Sequence, residues 1–215
     1  MVKTIKHFKF TDKTKKLEDG TVLHQIKANK NLPYHNIKRG DVGGWIEKEE
    51  NLSEKAWVSG DAQVSGDAQV SGDTKVSGNA WVYGNAWLYG NAIVSGKAWI
   101  YGNARVSGYA RVSGNSIVSG NVWVSGNAWI SGNAWISGNA RISEHAQVSG
   151  NTWVSGNSRI SGDAHIFGNP RINTGEYKNL WKHYGFWRYL GFWRYLGFWK
   201  RLSFWKHYSF RKCKS

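Results

Sequence analysis

Proline is almost missing from this chain: Pro33 and Pro170 are the only two in 215 residues. Glycine is plentiful at 26 residues, and that much glycine without proline excludes collagen and a Pro-rich linker and points to a regular repeat. Cys213 stands alone, so no intrachain disulfide is possible. The first twenty residues contain no apolar run, which argues against a secretory signal. The long uncharged stretch 112–140 is broken every six residues by Ser-Gly-Asn, which excludes a membrane helix. A cytoplasmic protein is expected, with a peripheral position at a membrane surface left open by its charge. Acidic residues are also scarce: 14 against 29 Lys and Arg, a net +15. The deficit is local. Residues 1–54 carry 11 basic and 8 acidic side chains, 55–168 carry 7 and 5, and 169–215 carry 11 and 1. An anionic partner is therefore to be sought at the C-terminal segment.

What is present in place of ordinary patterning is a six-residue phrase. From Lys55 to Gly168 the chain reads as 19 uninterrupted hexads of the form Asn/Asp-Ala-x-Val-Ser-Gly. A small residue fills one slot (Ala56, Ala62, Thr74 and on to Ala164), and Val, Ile or Leu follows two residues later, from Val58 to Ile166. Residues two apart share one face of a strand, so the residue between them points away. Ser-Gly-Asn is turn chemistry, because Gly and Asn tolerate positive φ. A helix would scatter a six-residue period over three stripes. The spacing predicts short strands wound into a coil, with Ala and Val filling a narrow interior and neighbouring coils about 4.8 Å apart. Such a solenoid needs caps at its ends.

These hexads resemble the hexapeptide-repeat, left-handed parallel β-helix family, in which a small residue stands two before an aliphatic one. The lead-in "DGTVLHQIKA" and "IKRGDVGGWIEKEENLS" looks similar to bacterial and bacteriophage members with this Ala-x-Val-Ser-Gly-Asn repeat. The resemblance implies an all-β, left-handed triangular solenoid with three hexads, 18 residues, per coil. It also implies a trimer, the common assembly of related proteins. The expected organisation is an N-terminal cap region 1–54, a β-helix 55–168, a linker 169–177 and a Trp/Arg-rich segment 178–215.

With three hexads per coil, the outward slots sort onto three faces. One carries Trp57, Lys75, Ile93, Arg111, Trp129, Gln147 and His165. A second carries Gln63, Trp81, Trp99, Ile117, Trp135 and Trp153, five successive apolar rungs flanked by Tyr83 and Tyr101. The third carries Gln69, Trp87, Arg105, Trp123, Arg141 and Arg159, an alternation suited to cation–π pairing. Stacking of indoles along the axis suits the second face. So does a contact surface, since contiguous apolar patches are usually covered. The candidate binding set is Trp81, Trp99, Ile117, Trp135 and Trp153, and the expected cover is a second copy of the chain, its own tail, or a host or partner protein.

After residue 178 the period stays six but the phrase becomes "FWRYLG", with Trp181, Trp187, Trp193, Trp199 and Trp205 each followed by Lys or Arg. Trp187, Arg188, Trp193, Arg194, Trp199 and Trp205 are further binding candidates. Trp beside a cation is the composition of interfacial membrane binders and of single-strand nucleic-acid stackers. Three readings stand: a segment docked on the Trp face, an anionic membrane or nucleic-acid binder, and the repeat's DNA read in a shifted frame.

Many hexapeptide proteins are acyl-CoA-dependent acyltransferases with a catalytic His and a loop that leaves the coil. Acyl-CoA is the only cofactor that enters, and only under that alternative. Here the hexads run without a loop. His145 is the weak catalytic candidate, standing beside Glu144 where Gly-Asn is expected. No phosphate loop, zinc spacing or Ser-His-Asp order is present. A non-catalytic scaffold or binding protein is the primary expectation.

Overall fold

The computed structural model describes residues 6–178 and 181–184. The chain is an all-β solenoid of about seven turns. It opens with three longer strands, β1 (Phe8–Lys16), β2 (Val22–Ala28) and β3 (Val42–Ile46). Two-residue strands then follow at six-residue intervals from β4 (Trp57–Val58), with only the last ones lengthening, to β22 (His165–Gly168). From β4 as far as the strand at Trp153–Val154, each pairs in parallel with the strand 18 residues on, as in Trp81↔Trp99 and Arg105↔Trp123. Three sheets result, of ten, eight and seven strands among the described residues.

The alternation explains the interior. The small slot and the aliphatic slot are buried throughout, from Ala56 and Val58 to Ala164 and Ile166. Where the small slot holds a hydroxyl, three of the four side chains fold back onto the preceding turn, while the buried Thr74 hydroxyl makes no hydrogen bond. Ser116, Thr152 and Ser158 donate to the carbonyls of Ser113, Ser149 and Ser155. Between the slots the backbone runs its hydrogen bonds along the axis, for example from Trp99 N to the Ser116 carbonyl at 2.9 Å.

The corners depend on glycine twice over. Gly114 has φ 72°, and a Cβ placed on it would lie 2.6 Å from the Gly132 carbonyl oxygen one coil on. Left-handed backbone and close approach between coils are therefore one requirement. Glu144 is the exception within the hexads, holding the same corner at φ 60°.

The first coil corrects two outward assignments. Trp57 is fully buried, whereas Trp129 on the same sheet is 45% exposed. Gln63 is buried as well. The cause is the cap. β1 and β2 form an antiparallel hairpin, β2 pairs with β3, and β3 joins the ten-stranded sheet in parallel through Trp45↔Gln63 and Ile46↔Val64. The 18-residue register thus reaches back to Gly44-Trp45-Ile46. Gly43 packs so closely on Trp57 that a Cβ there would come within 2.8 Å of the indole. The hairpin also covers what would be an open sheet edge, a template for unwanted pairing.

Two buried histidines fasten this cap. The His7 Nε2–H donates to the Ala56 carbonyl and the His35 Nε2–H to the Lys55 carbonyl, each at 2.8 Å. Burial holds both imidazoles below their ordinary pKa, and the charge of Lys30 adds to the effect at His7. At the far end, β23 (Arg171–Ile172), β24 (Glu176–Lys178) and β25 (Trp181–Tyr184) lie one on each sheet. Their spacing shortens: Trp153 pairs with Arg171, Arg159 with Glu176, and His165 with Trp181.

Two outcomes follow from this packing. Val124→Asp would put an unpaired charge into the interior and should cost about 3–5 kcal/mol, while Trp129→Gln should cost about 1 kcal/mol or less. Melting midpoints separate them, and equal losses would contradict the inward and outward assignment. The depressed histidines make the second. Their folded-state pKa lies below the unfolded value of about 6.5, so the unfolded chain binds more protons there. Stability should be complete above that pH and fall as pH drops below it. Denaturant titrations at about pH 7.5 and about pH 5 should show the fall, and His7→Gln should flatten it.

Candidate functional site

The ten-stranded sheet carries the apolar stripe. Its register places Trp81, Trp99, Ile117, Trp135 and Trp153 on consecutive rungs. Trp81 and Trp99 stack with centroids 5.3 Å apart and planes 6° from parallel, and Trp135 and Trp153 with 4.9 Å and 2°. Tyr83 and Tyr101 stack beside them at 4.9 Å. Burial raises the Tyr83 hydroxyl above its ordinary pKa, with Tyr101 adding to it. Ring separations close to the rung spacing mean that the rings lie across the solenoid axis. Within each pair the indoles cover one another's faces and turn their edges outward. Trp99, Trp135 and Trp153 keep about two fifths of their surface exposed.

The stripe is bounded by polar groups at both ends. At the cap end the buried Gln63 amide, oriented so that its oxygen meets the two donors beside it, accepts from Trp81 Nε1 at 3.2 Å and Lys15 Nζ at 3.0 Å. At the other end the Arg171 guanidinium sits 5.1 Å from the Trp153 ring centroid.

The seven-stranded sheet carries a different ladder. The Arg105 guanidinium lies between Trp87 and Trp123, 5.4 and 5.2 Å from their centroids, and Arg141 lies 5.3 Å over Trp123 on the other side. Each contact of this kind contributes about 0.5–1 kcal/mol at an exposed site. On the eight-stranded sheet Arg111 stands 5.9 Å from Trp129. Among the described residues the ion pairs Lys6–Glu49 and Lys48–Asp67 belong to the cap and first coil.

His145 stands in a corner column, not in a pocket. Asparagines of successive coils join amide to amide along such columns, as in Asn103→Asn121→Asn139→Asn157 at 3.0–3.1 Å. His145 takes the equivalent slot in a third, mixed column of Tyr109, Asn127, His145 and Asp163, exposed to solvent, with its Nδ1 3.5 Å from the Asn127 amide. Glu144 takes the glycine position beside it. The pair is a variation on the corner.

A cleft of about 690 Å³ opens elsewhere, between cap and first coil, lined by Lys6, His7, Lys30, Glu49, Lys55 and Asp73 among others. Sequence reasoning missed it, because it arises where the hairpin meets the first coil and no hexad position marks it. The tail candidates Trp187, Arg188, Trp193, Arg194, Trp199 and Trp205 lie outside the described residues. Among the described residues no helix is long and apolar enough to cross a membrane.

This geometry defines a β-solenoid repeat protein. The repeat family described as YdcK beta solenoid matches residues 98–114 and 110–126, within the part of the stripe around Trp99 and Ile117. No curated protein matches the chain.

The corner reading of His145 has a direct consequence. His145→Asn should let the Asn127 amide donate to a side-chain oxygen, as in the asparagine columns, and raise stability by up to about 1 kcal/mol, the worth of one good hydrogen bond. A fall in melting midpoint would show that the imidazole does something an asparagine cannot.

Proposed function

We propose that the chain is a non-catalytic scaffold that self-associates through the apolar stripe of its ten-stranded sheet. The observation that carries this reading is the unbroken run Trp81, Trp99, Ile117, Trp135 and Trp153, with aromatic edges exposed and no charged side chain between them. Contiguous exposed apolar surface of this kind marks a contact site.

Charge distinguishes this face from the other two. Around a two-fold axis one surface meets its own copy, and around a three-fold axis the faces turned toward the axis are copies of one surface. The face bearing Arg105, Arg141 and Arg159 would oppose like charge to like charge, and so would the face bearing Lys75 and Arg111. The Trp stripe meets itself without that repulsion. Self-stacking also favours protein over nucleic acid as its cover. A base needs a free aromatic face to stack on, and these indoles spend theirs on each other while offering edges that pack well against apolar side chains. A closed oligomer, with a trimer favoured, is the expected assembly.

The test compares two sets of substitutions by sedimentation. Replacing Trp81, Trp99, Trp135 and Trp153 together with Gln should lower the mass of the particle. Replacing Trp87, Trp123 and Trp129, which are as exposed, should leave it unchanged. A parent that sediments as a single chain at all concentrations would end the proposal.

A further inference from the structure

We infer that residues 175–215 are the hexad repeat itself, translated one base out of phase after an insertion at codons 173–174. Trp has a single codon, TGG. In the frame that starts at the second base of each codon, every Trp therefore becomes GGN, which is Gly whatever base follows. Trp181, Trp187, Trp193, Trp199 and Trp205 thus force a glycine every sixth residue, the one residue the corners of this solenoid require.

The other positions of the hexad are open in the same frame. Phe before Trp yields Ser or Phe. Arg before Tyr yields Asp, Gly, Val or Ala. Tyr before Leu yields Thr or Ile. Leu before Gly yields Trp when its codon ends in TG. Gly before Phe yields Val, Ala, Asp or Gly. The run Phe186-Trp187-Arg188-Tyr189-Leu190-Gly191 can therefore encode Ser-Gly-Asp-Thr-Trp-Val, and the next six residues can encode it again. Gly175 to Leu180 can encode Gly-Asn-Thr-Lys-Ile-Ser, close to the Gly-Asp-Thr-Lys-Val-Ser of residues 72–77. Phe210-Arg211-Lys212-Cys213 can encode Ser-Gly-Asn-Ala, which accounts for the one cysteine of the chain. Codons 173 and 174 and the first base of codon 175 stand where the pattern needs a single Ser codon, an excess of four bases.

The structure reports the same junction independently. Pairing keeps its 18-residue spacing as far as Trp153↔Arg171 and loses it at Arg159↔Glu176 and His165↔Trp181. Beyond it the register sets Lys182 opposite Ile166, in the aliphatic column. Six-residue steps from Lys182 reach Arg188, Arg194, Lys200 and Lys206, so continuing in this register would place a cation in the apolar column at every strand. That pattern is the opposite of the Val, Ile and Leu that fill this column from Val58 to Ile166, and hexads read out of phase can yield it. The strong basicity of the segment then comes from codon phase, not from an anionic partner.

Sequencing the coding DNA tests this directly. The frame beginning at the second base of codon 175 should be free of stop codons through codon 213, with Asn or Asp, Ala or Thr, and Val or Ile in the hexad slots. Stop codons, or slots filled without regard to the hexad, would overturn the inference. A chain with the four bases removed provides a second reading. It should gain strand signal in circular dichroism and melt no lower than the parent. Loss of strand signal would show that the shifted frame does not encode solenoid coils.

Discussion

Everything outward on this molecule depends on the close stacking of one backbone coil on the next. The interior takes a small side chain, mostly Ala, and a Val, Ile or Leu from each strand, and the corners favour glycine because the next coil's carbonyl lies within a Cβ's reach. That contact fixes an 18-residue turn. An 18-residue turn in turn brings every outward side chain over its counterpart at the same height and the same angle. Stacked indoles, Arg–Trp sandwiches and asparagine columns are consequences of that one repeat. A side chain that stacks is held by neighbours it did not have to find, so little ordering entropy opposes the ladder.

Much of this was legible in the hexads. The inward columns, the three faces and the Trp–Arg alternation of residues 87–141 follow from a period of six once three hexads close a coil, and the described strands fall where that period puts them. Two things were hidden. Trp57 and Gln63 occupy outward slots and are buried, because a hairpin distant in hexad phase folds over them. The coil at Gly44-Trp45-Ile46 carries the small–outward–aliphatic order but lacks the Ser-Gly-Asn turn, so it does not read as a hexad. The cleft beside His7 was hidden for the same reason: periodicity says nothing of what a non-periodic cap lays against the first coil.

The candidate site divides in the same way. Its residues were readable as a column, and the coil brings Trp81 to Trp153 together as the column required. Their chemistry was less readable. Whether neighbouring indoles offer faces or edges depends on side-chain rotamers that spacing does not encode, and edges are what the stripe presents. His145 shows the converse. A histidine beside a glutamate looked like a break in the pattern, and in the fold Glu144 keeps the left-handed corner while His145 stands exposed in the asparagine slot beside Asn127.

Hydroxyl-radical footprinting of the unmodified protein tests the central claim most directly. In a single chain Trp99 and Trp135 are each 41% exposed, close to the 45%, 44% and 45% of Trp87, Trp123 and Trp129. Exposure alone therefore predicts near-equal oxidation of the two groups. Assembly through the ten-stranded sheet predicts that Trp99 and Trp135 are protected while the other three are modified, with protection fading on dilution. Equal modification at every concentration would contradict the account.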